Sequence, residues 1–223
     1  MKFTFKIWSK IKEAWPLYKG HLGTLLIMMM LTMVAQFIGI KDHAILIVLS
    51  FIVSLLVSYI WIRLVLNLVD GKSFNPFTKE ALPSLSQFWN FFKTFILSAL
   101  CILGGFILFI VPAFYISGRL MFVMYLSVEK NQGARATIKE AWAMTKDYGW
   151  VLFWKNFLIG LFIALGFVVF FIGSFITYPI GLIVTFMMYR EFYKFKMQNP
   201  KAPPSPEVVS ELPKETIKEE IKH

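Results

Sequence analysis

Residues 44–69 read AILIVLSFIVSLLVSYIWIRLVLNLV, and their only charge is Arg63. A helix at the surface of a soluble protein has one apolar stripe. This one is apolar all round and longer than the roughly 20 residues that cross a bilayer core. The stretch therefore predicts a helix whose solvent is lipid. Five further runs of the same character flank it: one before, at about 22–40, and four after, at about 94–111, 112–128, 149–172 and 174–195. Gly104-Gly105, Pro112, Gly173 and Pro179 stand at or near the joints. Glycine and proline end or bend helices, so turns this short imply tight pairs. The expected fold is all-α and polytopic: six transmembrane helices as three hairpins, each preceded by a short cytoplasmic amphipathic helix.

Composition points the same way. Hydrophobic residues make up 57% and charged residues 16%, against about 45–50% and about 25% in soluble domains. That excludes an ordinary cytosolic enzyme. A single cysteine, Cys101, lies inside an apolar run, so no disulfide framework or cysteine metal site is expected. His21, His43 and His223 are far apart. A net charge of +10 on so apolar a chain points to anionic headgroups and away from nucleic acid. With the N-terminus inside, Lys41 is the only Lys or Arg in the three outer turns. This asymmetry predicts both termini in the cytoplasm, with the chain in the inner cell membrane. The first apolar run follows about twenty residues and lacks a small-x-small site, so a cleaved leader is not expected.

A repeat runs through the chain. Lys12-Glu13-Ala14-Trp15 recurs as Lys139-Glu140-Ala141-Trp142, with Lys79-Glu80-Ala81-Leu82 between them. Each copy stands just before two apolar runs. Tyr59-Ile60-x-x-Arg63-Leu64 is echoed by Tyr115-Ile116-x-x-Arg119-Leu120, and Tyr189-Arg190 is a degenerate third. Matching order, spacing and context favour three related units, about 1–70, 71–132 and 133–196, over coincidence. Ile7, Ile11, Trp15 and Tyr18 share a helical face, with Lys2, Lys6 and Lys10 on another. In residues 134–146, Ile138, Trp142 and Thr145 face one way and Arg135 and Lys139 flank them. Both read as interfacial helices, with Trp15, Trp142, Lys12 and Lys139 as anchors at the headgroups. Residues 197–223 hold prolines and then mostly charge, the composition of a disordered cytoplasmic tail.

The candidate polar site is Arg119 with Arg63, Tyr115 and Tyr59. At 1.5 Å per residue, Arg119 lies roughly 10 Å below the outer turn and about 16 Å from the inner boundary. A lone cation there costs on the order of 2.5–3.5 kcal/mol, so something must compensate it. Backbone carbonyls freed at the glycine and proline breaks, Gln36, Asn156 or a lipid phosphate could do so. Arg119 would either bind an anionic headgroup or substrate, or staple helices through carbonyls. Arg63 can snorkel, with Asn67 and Asp70 on its face. Arg190, near Lys194 and Lys196, reads as a cytoplasmic anchor. No His-Glu-x-x-His, Gly-x-Ser-x-Gly, Walker lysine or Cys-x-x-Cys stands in the sequence, and no carboxylate lies well inside a run. No catalytic residue and no cofactor is expected. An enzyme would need a polar cleft of converging acids around Asp70, Glu129 and Asp147.

Ile110-Val111-Pro112, the Tyr115-to-Leu120 motif, Val128-Glu129, Ile138-x-x-Ala141-Trp142 and Lys146 form a recognisable set with the Gly-rich fifth run, Tyr178-Pro179 and Tyr189-Arg190. The set resembles the integral membrane domain of bacterial glycerophosphodiester phosphodiesterases and related six-helix membrane proteins, over most of residues 1–196 and most clearly from Gly104 to Arg190. The resemblance implies a helical membrane domain, with the phosphodiesterase chemistry in a separate barrel of roughly 250 residues that this sequence does not contain. The expected function is a non-enzymatic membrane module that binds anionic lipid or a partner protein at its basic cytoplasmic face. The alternative is a transporter, or a transporter membrane subunit, for a small or anionic substrate.

Overall fold

In hydrocarbon a backbone must satisfy its own hydrogen bonds, and a helix does so within one segment. The computed structural model, which describes residues 3, 5–38, 44–168 and 173–198, is all-α as expected. In order come α1 (Ile7–Gly20), α2 (Leu22–Ile38), α3 (Ala44–Val69), α4 (Leu85–Leu108), α5 (Ile110–Arg119), α6 (Val123–Lys130), α7 (Ala134–Met144), α8 (Gly149–Val168) and α9 (Ser174–Gln198). A 3₁₀ turn, Lys79–Ala81, precedes α4. A full capping box at Ser84 starts α4: the Ser84 hydroxyl accepts from the Gln87 amide, and the Gln87 side chain accepts from the Ser84 amide. Of the tail, residues 199–223 lie outside the described residues, and so do Lys2, Lys41 and His43, while residues 197–198 end α9.

Among the described residues, four helices are long and apolar enough to cross a membrane: Ala44–Val69, Leu85–Ile107, Val111–Lys130 and Gly149–Gly166. A fifth joins them if α1 and α2, which meet at a 91° bend, form one broken span. This is fewer than the six expected, and the shortfall lies in α2 and α9. α2 has 17 residues before the described residues stop. α9 has 25, but Thr177, Tyr178, Thr185, Tyr189, Arg190 and Glu191 dilute its apolar character. The reason is packing. α9 is buried on several sides, through Ile180, Ile183, Val184, Phe186, Met188, Tyr189 and Phe192, so little of it has to suit lipid.

α2 packs on α3, α4 on α5, and α8 on α9, while α1 lies across α9. The apolar windows of α3, α4 and α8 are each only 22% buried, against 56% for Val111–Lys130. So α3, α4 and α8 present broad apolar surfaces outward, and the α5–α6 span sits further inside. The core is aromatic where α6 meets α9. Tyr125 stacks on Tyr189 at 5.8 Å, and Phe122 lies 5.4 Å from the Tyr189 ring and 5.6 Å from Phe192. Lys155 of α8 donates to the Phe5 carbonyl at 2.8 Å and ties the chain's start to the bundle.

The first and third short segments are helices, α1 and α7. The middle one is not: Lys79–Ala81 forms only a 3₁₀ turn, which corrects the expected amphipathic helix in that unit. Pro83 explains it. The residue before a proline is pushed to extended backbone, and Leu82 sits at φ −70°, ψ 137°. Even so, Ala14, Ala81 and Ala141 are all fully buried.

Candidate functional site

Arg119 is the last residue of α5, and α7 ends directly against it. A helix leaves its last carbonyls without intrahelical partners. In α7 the Ala141 carbonyl takes the Thr145 amide and the Ala143 carbonyl takes the Lys146 amide, which leaves Trp142. Arg119 Nη2 donates to that Trp142 carbonyl. Nε donates to Thr145 Oγ1 at 3.1 Å and Nη1 to the Tyr115 hydroxyl at 2.9 Å. The guanidinium also lies 4.3 Å from the Trp142 ring and 5.6 Å from the Tyr115 ring. Thr145 Oγ1 lies 2.6 Å from the Ala141 carbonyl and 2.8 Å from that of Arg119, so its one proton closes the network. Arg119 is 5% exposed. The cation is thus compensated without a carboxylate. Its partners are a helix C-terminus, which favours positive charge, two hydroxyls and two rings. A backbone carbonyl was expected, but it comes from α7 and not from the glycine and proline breaks. Gln36 and Asn156 take no part.

The unnamed residue inside the Tyr-Ile-x-x-Arg motif that matters most is Gly118. A Cβ on it would lie 2.2 Å from the Gly149 carbonyl oxygen, so α5 and α8 touch backbone to backbone. That contact holds the α7–α8 corner beside Arg119. Close approach is the physical signal of such a glycine, and a single sequence does not show it.

Arg63 and Tyr59 form a separate site. Arg63 Nη1 donates to the Glu80 carbonyl at 2.9 Å and its guanidinium lies 5.6 Å from the Phe74 ring. Tyr59 is buried edge-on against Phe91. Each arginine therefore binds a carbonyl of the short segment that follows it, beside the buried alanine: Glu80 before Ala81, and Trp142 after Ala141.

A third cluster is assembled by residues distant in the chain. Arg190 of α9 grips Asp70, just past α3, with Nε to Oδ1 at 3.0 Å and Nη2 to Oδ2 at 2.5 Å. Its Nη1 binds Glu129 of α6, and the Tyr189 hydroxyl donates to the same carboxylate at 2.5 Å. Arg190 is therefore a junction of α3, α6 and α9, which its reading as an anchor missed. Of the three acids that an enzyme would need in one cleft, Asp70 and Glu129 meet at Arg190, and Asp147 does not join them. Arg190→Ala leaves two carboxylates facing each other. It is expected to cost about 1–2 kcal/mol, discounted for the quarter of each side chain that water reaches. Thermal unfolding checks this, and adding Asp70→Asn with Glu129→Gln should restore most of the loss.

A groove of about 390 Å³ lies between α4 and α7. Leu97 and Cys101 form one wall, Ile138, Trp142 and Ala143 the other, with Arg135 and Lys139 along α7. Lys130 pairs with Glu140, and Lys10 with Glu13 and Glu191. Among the described residues, Arg135 and Lys139 make no ion pair or hydrogen bond. Trp15, half-exposed, stacks near Tyr18 with Lys19 over its ring, and Lys12 is exposed. Among the described residues, no group of three or more His, Cys, Asp or Glu could hold a metal ion.

Residues 87–198, half of the chain, match the family model for the membrane domain of glycerophosphoryl diester phosphodiesterase. The match takes in the Arg119 network, the α4–α7 groove, Glu129 and Arg190, and leaves out α1 to α3 with Arg63 and Asp70. No curated protein and no solved structure matches.

Proposed function

The chain belongs to the family of glycerophosphoryl diester phosphodiesterase membrane domains, and from that premise we propose that it is a non-enzymatic, multi-pass membrane module that holds an anionic phospholipid between α4 and α7. The groove carries this reading. Its walls are apolar, and α4 is a candidate span whose apolar face suits acyl chains. Two cations with no acid partner among the described residues run along it, Arg135 and Lys139, at the spacing of one helical turn. Phosphate supplies the missing countercharge. Arg119 spends one bond from each of its three nitrogens on protein groups, so its part is to hold α7 in position.

In this reading the chain crosses the membrane six times with both termini inside. The pairs α2–α3, α4–α5 and α8–α9 are its hairpins, and α7 lies in the headgroup layer. The exposed basic face of α1 and α7 would also serve a protein partner. The transporter reading asks for a water-filled path to a cation in the span, which a 5% exposed Arg119 bonded through all three nitrogens does not favour.

Native mass spectrometry tests the proposal. The intact protein is expected to retain phosphatidylglycerol over phosphatidylethanolamine. Arg135→Ala with Lys139→Ala should reduce that retention about tenfold or more, at about 1 kcal/mol per basic residue near an anionic surface. Equal retention of the two lipids, or no change in the double variant, overturns it.

A further inference from the structure

A second cleft, of about 290 Å³, opens among α3, the α5–α6 break and α9. Ser58 and Trp61 in the second half of α3 form one side, Tyr178 and Leu182 in the first third of α9 the other, and Met121 of the break and Met124 of α6 enter between them. No charged residue lines it. Its polar groups are unequal. Ser58 donates its proton to the Ser54 carbonyl at 2.7 Å, and Trp61 Nε1 donates to Thr32 Oγ1 at 2.9 Å. The hydroxyls of Tyr125 and Tyr178 make no hydrogen bond among the described residues. Tyr125 is 9% exposed, its ring packed on Phe186 and Tyr189, and the Tyr178 ring stands edge-on to Trp61. Among the described residues, no sealed side-chain polar atom lacks a partner. Both phenols therefore reach the open space of the cleft, where they are donors without acceptors. Inside an apolar slab that is a costly arrangement unless something with acceptors enters.

We propose that this cleft seats the ester-linked glycerol portion of a neutral glycerolipid, of the diacylglycerol type. Tyr125 and Tyr178 donate to its two ester carbonyls, and Trp61, Met121 and Met124 pack its first methylenes. Two phenol donors in one uncharged cleft, one on α6 and one on α9, suit a ligand that carries two acceptors on a short glycerol unit. A phosphate is disfavoured because no cation lines the cleft to neutralise it. The volume lies just under the roughly 300–1,000 Å³ of pockets that enclose a whole ligand. It therefore fits the polar waist of a lipid whose chains remain in the bilayer. The methionines can adjust to chains of differing length and unsaturation.

Photo-crosslinking of the full chain in nanodiscs with a diazirine-bearing diacylglycerol tests this. Label is expected on peptides containing Met121–Tyr125 or Tyr178–Leu182, with competition by unlabelled diacylglycerol and not by phosphatidylglycerol. Tyr125→Phe with Tyr178→Phe keeps both rings and removes both donors. It should lower labelling about tenfold, with no change in the unfolding temperature or in phosphatidylglycerol retention at the α4–α7 groove. Met124→Trp, which fills the cleft, should abolish labelling. Label that is absent, spread evenly over lipid-facing helices, or unchanged in the double variant overturns the proposal. Competition by a quinone but not by diacylglycerol overturns the choice of lipid.

Discussion

Arg119→Ala is expected to destabilise the protein by about 3 kcal/mol, the largest loss from any single polar side chain here. The truncation strips the Trp142 carbonyl of its only donor, leaves Thr145 and Tyr115 without their charged partner, and opens a cavity under the Trp142 ring. With Arg119 5% exposed, little water is at hand to take over those bonds. A thermal-unfolding series in detergent checks the figure. Arg119→Lys separates charge from geometry: an ammonium keeps the attraction to the α7 C-terminus but lacks the planar fork that reaches Thr145, Tyr115 and Trp142 together. It should recover less than half of the loss. Full recovery by lysine would mean that charge alone holds α7. An unchanged melting temperature in the alanine variant would mean that α7 does not depend on this network.

The second large effect is steric. Gly118→Ala adds one carbon, and that carbon would sit 2.2 Å from the Gly149 carbonyl oxygen and 3.0 Å from the Phe153 amide nitrogen. Both are backbone atoms, so no side-chain rotation relieves the clash and α5 must move off α8. The expected cost is about 3 kcal/mol, the upper end for overpacking. Gly118→Val should be at least as damaging, since the conflict begins at Cβ. Gly160 is the control: a Cβ there meets nothing within 4 Å. Gly160→Ala, inside α8, is expected to gain about 0.5–1 kcal/mol from reduced backbone entropy. If both glycines tolerated alanine equally, the α5–α8 contact would not be the one that seats Arg119.

These two residues also mark how far the chain's own pattern could be read. That Arg119 required compensation follows from one cation in an apolar run. That the partner would be a carbonyl was within reach as well. Which carbonyl was not, because Trp142 lies 23 residues away in a helix whose end had to be folded back onto α5. Trp142 and Thr145 were placed on one face of α7 by spacing, but spacing does not say what that face meets. The misreading of residues 79–82 was avoidable in principle: Pro83 stands beside the motif and bars its extension as a helix. Arg190 shows the opposite case. Nothing local links it to Asp70, 120 residues earlier, or to Glu129, 61 residues earlier.

By itself the sequence determined the class and the family. Long apolar runs admit one solution in lipid, since each helix closes its own backbone hydrogen bonds, and the motifs from Gly104 to Arg190 carry the family's imprint. Only the tertiary structure decided which cations are spoken for and which remain open. Arg63, Arg119 and Arg190 are matched to carbonyls and carboxylates, while Arg135 and Lys139 are left beside an apolar groove. Two phenols likewise end up facing an uncharged cleft with no acceptor. The reason is physical: burial and pairing are properties of surfaces that meet, and helix periodicity records which side chains share a face without recording what lies opposite.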